Sequence, residues 1–185
     1  MTVTTSGLRQ DGTPVDYPPF ELLRILAADN TGGLNSLNAQ PWFPSTGGVA
    51  VLADTTYEFE GQLMLSRSAG TTSHTTSLLF GGTATLTSID ALAQALTGDA
   101  NSLIAINGVW ITAATATALK AASTSATEQI VIRVRGFVRI NAAGTFIPQF
   151  KYSAAPGGAP TIKRGSFFRM RPVGEGTLTE LGTWT

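Results

Sequence analysis

The chain has 185 residues, of which 43% are hydrophobic and only 13% charged, with no net charge and no cysteine. That length and apolar fraction suit one ordinary domain plus an arm, and exclude a disordered chain. The missing thiols exclude a disulfide framework, thiolate zinc sites and cysteine nucleophiles. Charge is segregated: residues 1–119 hold three basic and nine acidic side chains, and residues 120–185 hold nine and three. The basic residues are spaced and not run together, which suits oppositely charged strands lying side by side better than a nucleic-acid tail.

Residues 1–47 read as an N-terminal arm and residues 48–185 as one domain. In the arm, Pro18 and Pro19 precede an apolar stretch whose Phe20, Leu22, Leu23, Ile25 and Leu26 would cover most of a short helix, with Asp29–Asn30 at its end. Such a helix must dock on its own domain or on a neighbour. "LNSLNAQPWFPSTG" follows as an extended, proline-punctuated segment with Trp42 and Phe43 as anchors. The arm either packs on its own domain or fastens to another subunit through Phe20, Leu23, Leu26, Trp42 and Phe43. No basic, apolar-cored leader and no membrane span is expected.

From residue 48 the pattern is β. "TTYEFEGQLMLSRS" places Tyr57, Phe59, Leu63 and Leu65 on one face and Glu58, Glu60 and Gln62 on the other. "SHTTSLLFGGTATLT" is a strand expected to bend at Gly81–Gly82, and "SIDALAQAL" reads as a helix capped by Ser88. "LIAINGVWITA" reads as one strand or as a pair of short strands turning at Asn107–Gly108. Ile130, Ile132, Val134, Gly136, Val138 and Ile140 alternate without a break as a core face. "TFIPQFKY" puts Phe146, Phe150 and Tyr152 on one side, and "RGSFFRMRPV" sets Phe168 and Met170 against Phe167, Arg169 and Arg171. "TLTELGTWT" reads as an edge strand. Seven or eight such strands point to an antiparallel sandwich.

The outer face of "EQIVIRVRGFVRI" interleaves Arg133, Arg135 and Arg139 with Phe137. "RGFVRI" starts like an RNA-recognition signature but lacks the second aromatic and the surrounding β-α-β-β-α-β pattern. Nucleic acid is therefore not expected. Glu58 and Glu60 are candidates to pair with Arg133 or Arg135, across the sheet or at a subunit interface that also takes Phe137. His74 is the only histidine and reads as a surface or satisfied residue, not a base. No carboxylates fall in a metal-loop spacing, and no cofactor, metal or catalytic residue is expected.

"IRVRGFVRINAAGTFIPQFKYSAAPGGAPTIKRGSFFRMRPVG", residues 132–174, resembles a jelly-roll module of tailed-bacteriophage virion proteins. Asn141 through Thr145, Pro148, Gln149, Phe150, Gly165 and Ser166 carry the match, and Tyr57, Phe59 and Gly81–Gly82 are similar to its first strands. The resemblance implies a jelly roll like the tumour-necrosis-factor superfamily, a homotrimer and a place on the virion. It implies no catalytic residues. The expected function is a capsid decoration, cement or head-spike protein held to the major capsid protein by its arm. A receptor- or glycan-binding tip of a tail fibre or spike is the second expectation. No insertion into membrane is expected in either.

Overall fold

A computed structural model describes residues 5–8, 14–17, 22–44, 47–98 and 105–175. Its strands are β1 (Thr5–Leu8), β2 (Pro14–Tyr17), β3 (Leu22–Ile25), β4 (Gln40–Pro41), β5 (Val49–Val51), β6 (Thr55–Arg67) and β7 (Thr76–Gly81). There follow β8 (Thr85–Gly98), β9 (Ala105–Ile111), β10 (Thr117–Ala118), β11 (Glu128–Ala142), β12 (Gly144–Tyr152), β13 (Thr161–Ile162) and β14 (Phe167–Glu175). No helix occurs among the described residues. The large sheet runs β3-β14-β6-β11-β8-β9, with β13 also on β6. The small sheet runs β10-β7-β12-β4, with β5 also on β12, and β1 and β2 pair separately. Every pairing is antiparallel, and the two sheets enclose one core as a β-sandwich.

The alternation in β6, β11, β12 and β14 holds. Tyr57, Phe59, Leu63, Leu65, Ile130 to Ile140 at alternate positions, Phe146, Phe150, Tyr152, Phe168 and Met170 are all buried. Aromatic rings join the two sheets: Phe59 of the large sheet meets Phe80 edge-on at 5.4 Å and Phe146 at 5.9 Å, and Phe80 and Phe146 stack on each other at 4.9 Å within the small sheet. Such pairs contribute beyond their buried area. The chain crosses between sheets at two turns that lie together. Gly82 leaves β7 with φ +118°, and an added Cβ there would sit 2.0 Å from the Thr145 carbonyl oxygen. The Thr83 N–H donates to that oxygen (3.0 Å), beside the passage from β11 to β12.

Three expectations are corrected. Residues 22–25 form no helix: Leu22 to Ile25 pair with Met170 to Phe167 as the edge strand β3. An isolated helix that is apolar all round has no partner in water, whereas the open edge of β14 supplies backbone hydrogen bonds and a core for Leu22 and Leu26. "SIDALAQAL" lies within β8, because Ile89, Ala91, Ala93 and Ala95 also fit a period of two and all face the core. Asn107–Gly108 is no turn; Asn107 pairs with Ala95 inside β9. The expected strand "TLTELGTWT" lies outside the described residues.

Much of the segment read as an arm belongs to the sandwich. Gln40–Pro41 pairs with β12, and Asn30 exchanges backbone hydrogen bonds with Ile162 at 2.8 and 2.9 Å. Trp42 is fully buried, edge-on to Phe168 at 5.9 Å. It lies directly over Gly61, where an added Cβ would come within 2.8 Å of the indole. Glycine at this point of the central strand therefore makes room for the ring. The Trp42 Nε1 has no hydrogen-bond partner among the described residues, so the ring is held by packing. Trp42→Ala should cost about 3–5 kcal/mol of stability, read as a lower midpoint in urea denaturation; a change below 1 kcal/mol would contradict this account.

Candidate functional site

Two assemblies of charged side chains rise from the long pairing of β6 with β11. The first covers the solvent face of the large sheet. Because side chains alternate, each outward residue of β6 lies between outward residues of β14 and β11. Glu58 accepts from Arg135 Nη2 at 2.9 Å and from Arg171 Nε at 2.7 Å, with Arg171 Nη2 on the same oxygen. Glu60 pairs with Arg169 at 2.8 Å, and Arg133 Nε donates to Gln62 Oε1 at 3.0 Å. The acidic strand from the first part of the chain thus lies between two basic strands from the last part. Partial burial opposes ionisation of Glu58, but hydrogen bonds from Arg135 and Arg171 outweigh it and hold the carboxyl below its ordinary range. A shallow groove of about 200 Å³ runs over these groups.

This face also exposes large apolar side chains: Leu23, Ile25, Leu92, Ile106, Trp110 and Phe137 are between 47% and 68% accessible. Trp110 and Ile106 lie on the edge strand β9, and Leu23 and Ile25 lie on the opposite edge, β3. Exposed apolar groups gathered on one face mark a contact surface more often than scattered ones do.

The second assembly is buried. Glu128, at the start of β11, accepts from Lys120, from Arg67 Nη2 at 3.2 Å and from His74 Nε2 at 3.0 Å. Arg67 also donates to the carbonyls of Ala69, Gly70 and Ser125, and His74 Nδ1 donates to the Thr72 carbonyl at 2.8 Å. Burial opposes ionisation of Glu128, yet the hydrogen bond and charge of Lys120, then those of His74, hold its carboxyl below the ordinary value of 4.5. Burial, with the Glu128 charge beside it, pushes the Tyr152 hydroxyl upward. His74 is buried with both ring nitrogens engaged, so the cluster fastens loops 68–75 and 119–128 to the sheet.

Arg133, Arg135, Phe137, Glu58 and Glu60 therefore share one surface, and their polar members pair within the chain. The proposed anchors divide. Leu23 is half exposed on β3, Leu26 packs partly on the core, and Trp42 and Phe43 are buried in their own domain and cannot grip a neighbour. Phe20 lies outside the described residues. Sequence reasoning missed Leu92, Ile106 and Trp110, which a helix and a hairpin had hidden; the alternation Ile89-Ala91-Ala93-Ala95 was the available signal. It also missed Arg67, Lys120 and Glu128, which stand far apart in sequence and carry no motif. No protein-family model matches the chain, and no curated protein matches it.

Glu128→Gln should destabilise the fold by about 3–5 kcal/mol at neutral pH, since it leaves Arg67 and Lys120 buried without their counter-charge. Glu128 is held below its unfolded value, so its stabilisation is complete above pH 4.5 and is lost as pH falls through the lower folded value. Circular dichroism of denaturant midpoints from pH 7 to pH 3 should show a steeper acid loss in the parent than in the variant. Parallel curves would contradict the assignment.

Proposed function

We propose that this chain is a non-enzymatic structural protein of a phage particle, a capsid decoration, cement or head-spike protein that self-associates and attaches through its N-terminal arm. The sandwich would carry jelly-roll connectivity, and the resemblance of residues 132–174 implies a trimer on the virion surface. The observation that carries the reading is the solvent face of the large sheet, whose apolar residues and neutralised charges suit a permanent contact. Attachment falls to residues 1–21. Among the described residues β1 and β2 form backbone pairs only with each other, and β1 also approaches the sandwich at β14; a two-stranded hairpin so lightly held is marginal in water and gains from a further surface to lie on. Within residues 22–44, β3 joins the large sheet, β4 joins the small one, and Trp42 and Phe43 fill the core.

Co-sedimentation with undecorated phage heads tests this reading. The full chain should pellet with heads, and a chain lacking residues 1–21 should remain folded but stay in the supernatant. Undiminished pelleting of the shortened chain would remove the arm from the mechanism. Failure of the full chain to pellet would remove the head.

A second reading, recognition of a host receptor or surface glycan by a fibre or spike tip, is favoured by one observation. Loops 68–75 and 153–160 lie together: the Thr72 N–H donates to the Pro156 carbonyl at 3.2 Å, and the Ser153 N–H to the Thr75 carbonyl at 3.1 Å. Paired loops on a rigid scaffold are where recognition residues concentrate. Under this reading, replacing residues 155–160 should lower adsorption of the particle to host cells by tenfold or more, on the scale of losing roughly 1.4 kcal/mol of binding. Unchanged adsorption by intact particles would exclude it.

A further inference from the structure

The strand registers lay out the solvent face of the large sheet as rows. One row reads Leu23-Arg169-Glu60-Arg135-Leu92-Trp110 from edge to edge. The row on one side reads Arg171-Glu58-Phe137-Asp90 across β14, β6, β11 and β8. The row on the other side holds Gln62 next to Arg133 at its centre. The midline of all three rows falls between β6 and β11.

Most pairs that meet when a row is reversed about that midline are complementary. Reversing the first row sets Trp110 against Leu23, Leu92 against the aliphatic stem of Arg169, and Arg135 against Glu60. Reversing the second sets Asp90 against Arg171 and brings Phe137 over Glu58, whose charge Arg135 and Arg171 already neutralise, and reversing the third sets Arg133 against Gln62. No like charges meet in these pairings. We propose that this face packs on the same face of a second copy of the chain, about a two-fold axis that runs along the strands between β6 and β11. The proposal rests on the self-association of the reading above, names the surface and its partner, and sets a two-fold dimer in place of the trimer that the resemblance implies.

The geometry accommodates such a contact. An axis along the strands leaves the two sheets aligned within their twist, the usual arrangement when sheets pack face to face. The operation is isologous, so each pairing occurs twice and the interface closes on itself. The exposed parts of the six large apolar residues amount to on the order of 600 Å², near the roughly 800 Å² that each partner gives to a standard interface. The charged rows fix which copy-to-copy register is allowed, and the apolar flanks some 24 Å apart, five strand spacings, supply the burial.

Asp90 is exposed and Arg171 is 64% accessible, so both can be exchanged without disturbing the core. Sedimentation equilibrium of the full chain should show a dimer. Asp90→Arg alone sets arginine against arginine, and Arg171→Asp alone sets aspartate against aspartate. Each should weaken dimerisation by roughly tenfold or more. An equimolar mixture of the two variants should recover dimers, because each variant then meets its opposite charge at both positions; damage to folding would not be repaired by mixing. A monomeric or trimeric parent, association indifferent to both changes, or a mixture that fails to recover would overturn the two-fold contact. Head co-sedimentation separates the two ideas. A monomer or trimer that pellets with heads overturns this contact alone, and a dimer that does not pellet supports the contact while the head assignment fails.

Discussion

The pairing of Thr55–Arg67 with Glu128–Ile140 fixes the rest of the molecule. It runs without a break over thirteen residue pairs. On one side it aligns the aliphatic and aromatic core; on the other it sets Glu58, Glu60 and Gln62 beside Phe137, Arg135 and Arg133. Its last pair is Arg67 with Glu128, the centre of the buried charge cluster. A slip of one residue would turn the core outward, put charges inside and separate Arg67 from Glu128 at once. Hydrophobic pattern and electrostatics therefore select the same register, the consistency expected of a sequence with one preferred fold.

That shared selection explains what the sequence made legible. Where one face is purely aliphatic, as from Ile130 to Ile140, period-two alternation has a single reading. So too for Tyr57 to Leu65 against Glu58 to Gln62. The segregation of acidic and basic residues along the chain also had a structural meaning, since β6 is acidic and its neighbours β11 and β14 are basic. Alanine was what misled in β8. Ala91, Ala93 and Ala95 are good helix formers by themselves, and only contact with the neighbouring strand decides their state.

The candidate surface was half visible. The arginines and glutamates stood out because they interleave with core residues on recognised strands. Trp110 and Ile106 did not, since Asn107–Gly108 between them is a strong local turn signal that tertiary pairing overrides. Trp42 and Phe43 failed in the opposite sense: proline-flanked aromatics in an extended stretch look alike whether they fill their own core or a neighbour's. What separates the two cases is Gly61, which leaves space for the indole nineteen positions later. No local pattern in the sequence announces that fit.

The pairing of β3 with β14 also bears on how the chain is made. Leu22–Ile25 is the first strand of the sandwich to leave the ribosome, and its partner Phe167–Met170 is nearly the last. Trp42 likewise waits for Phe168. The nascent chain therefore carries "LLRIL" and an unburied tryptophan until residues 167–170 have been made, and closure of the sheet depends on contacts of very high sequence separation, which form slowly. The interval before that closure is the period of greatest exposure to aggregation.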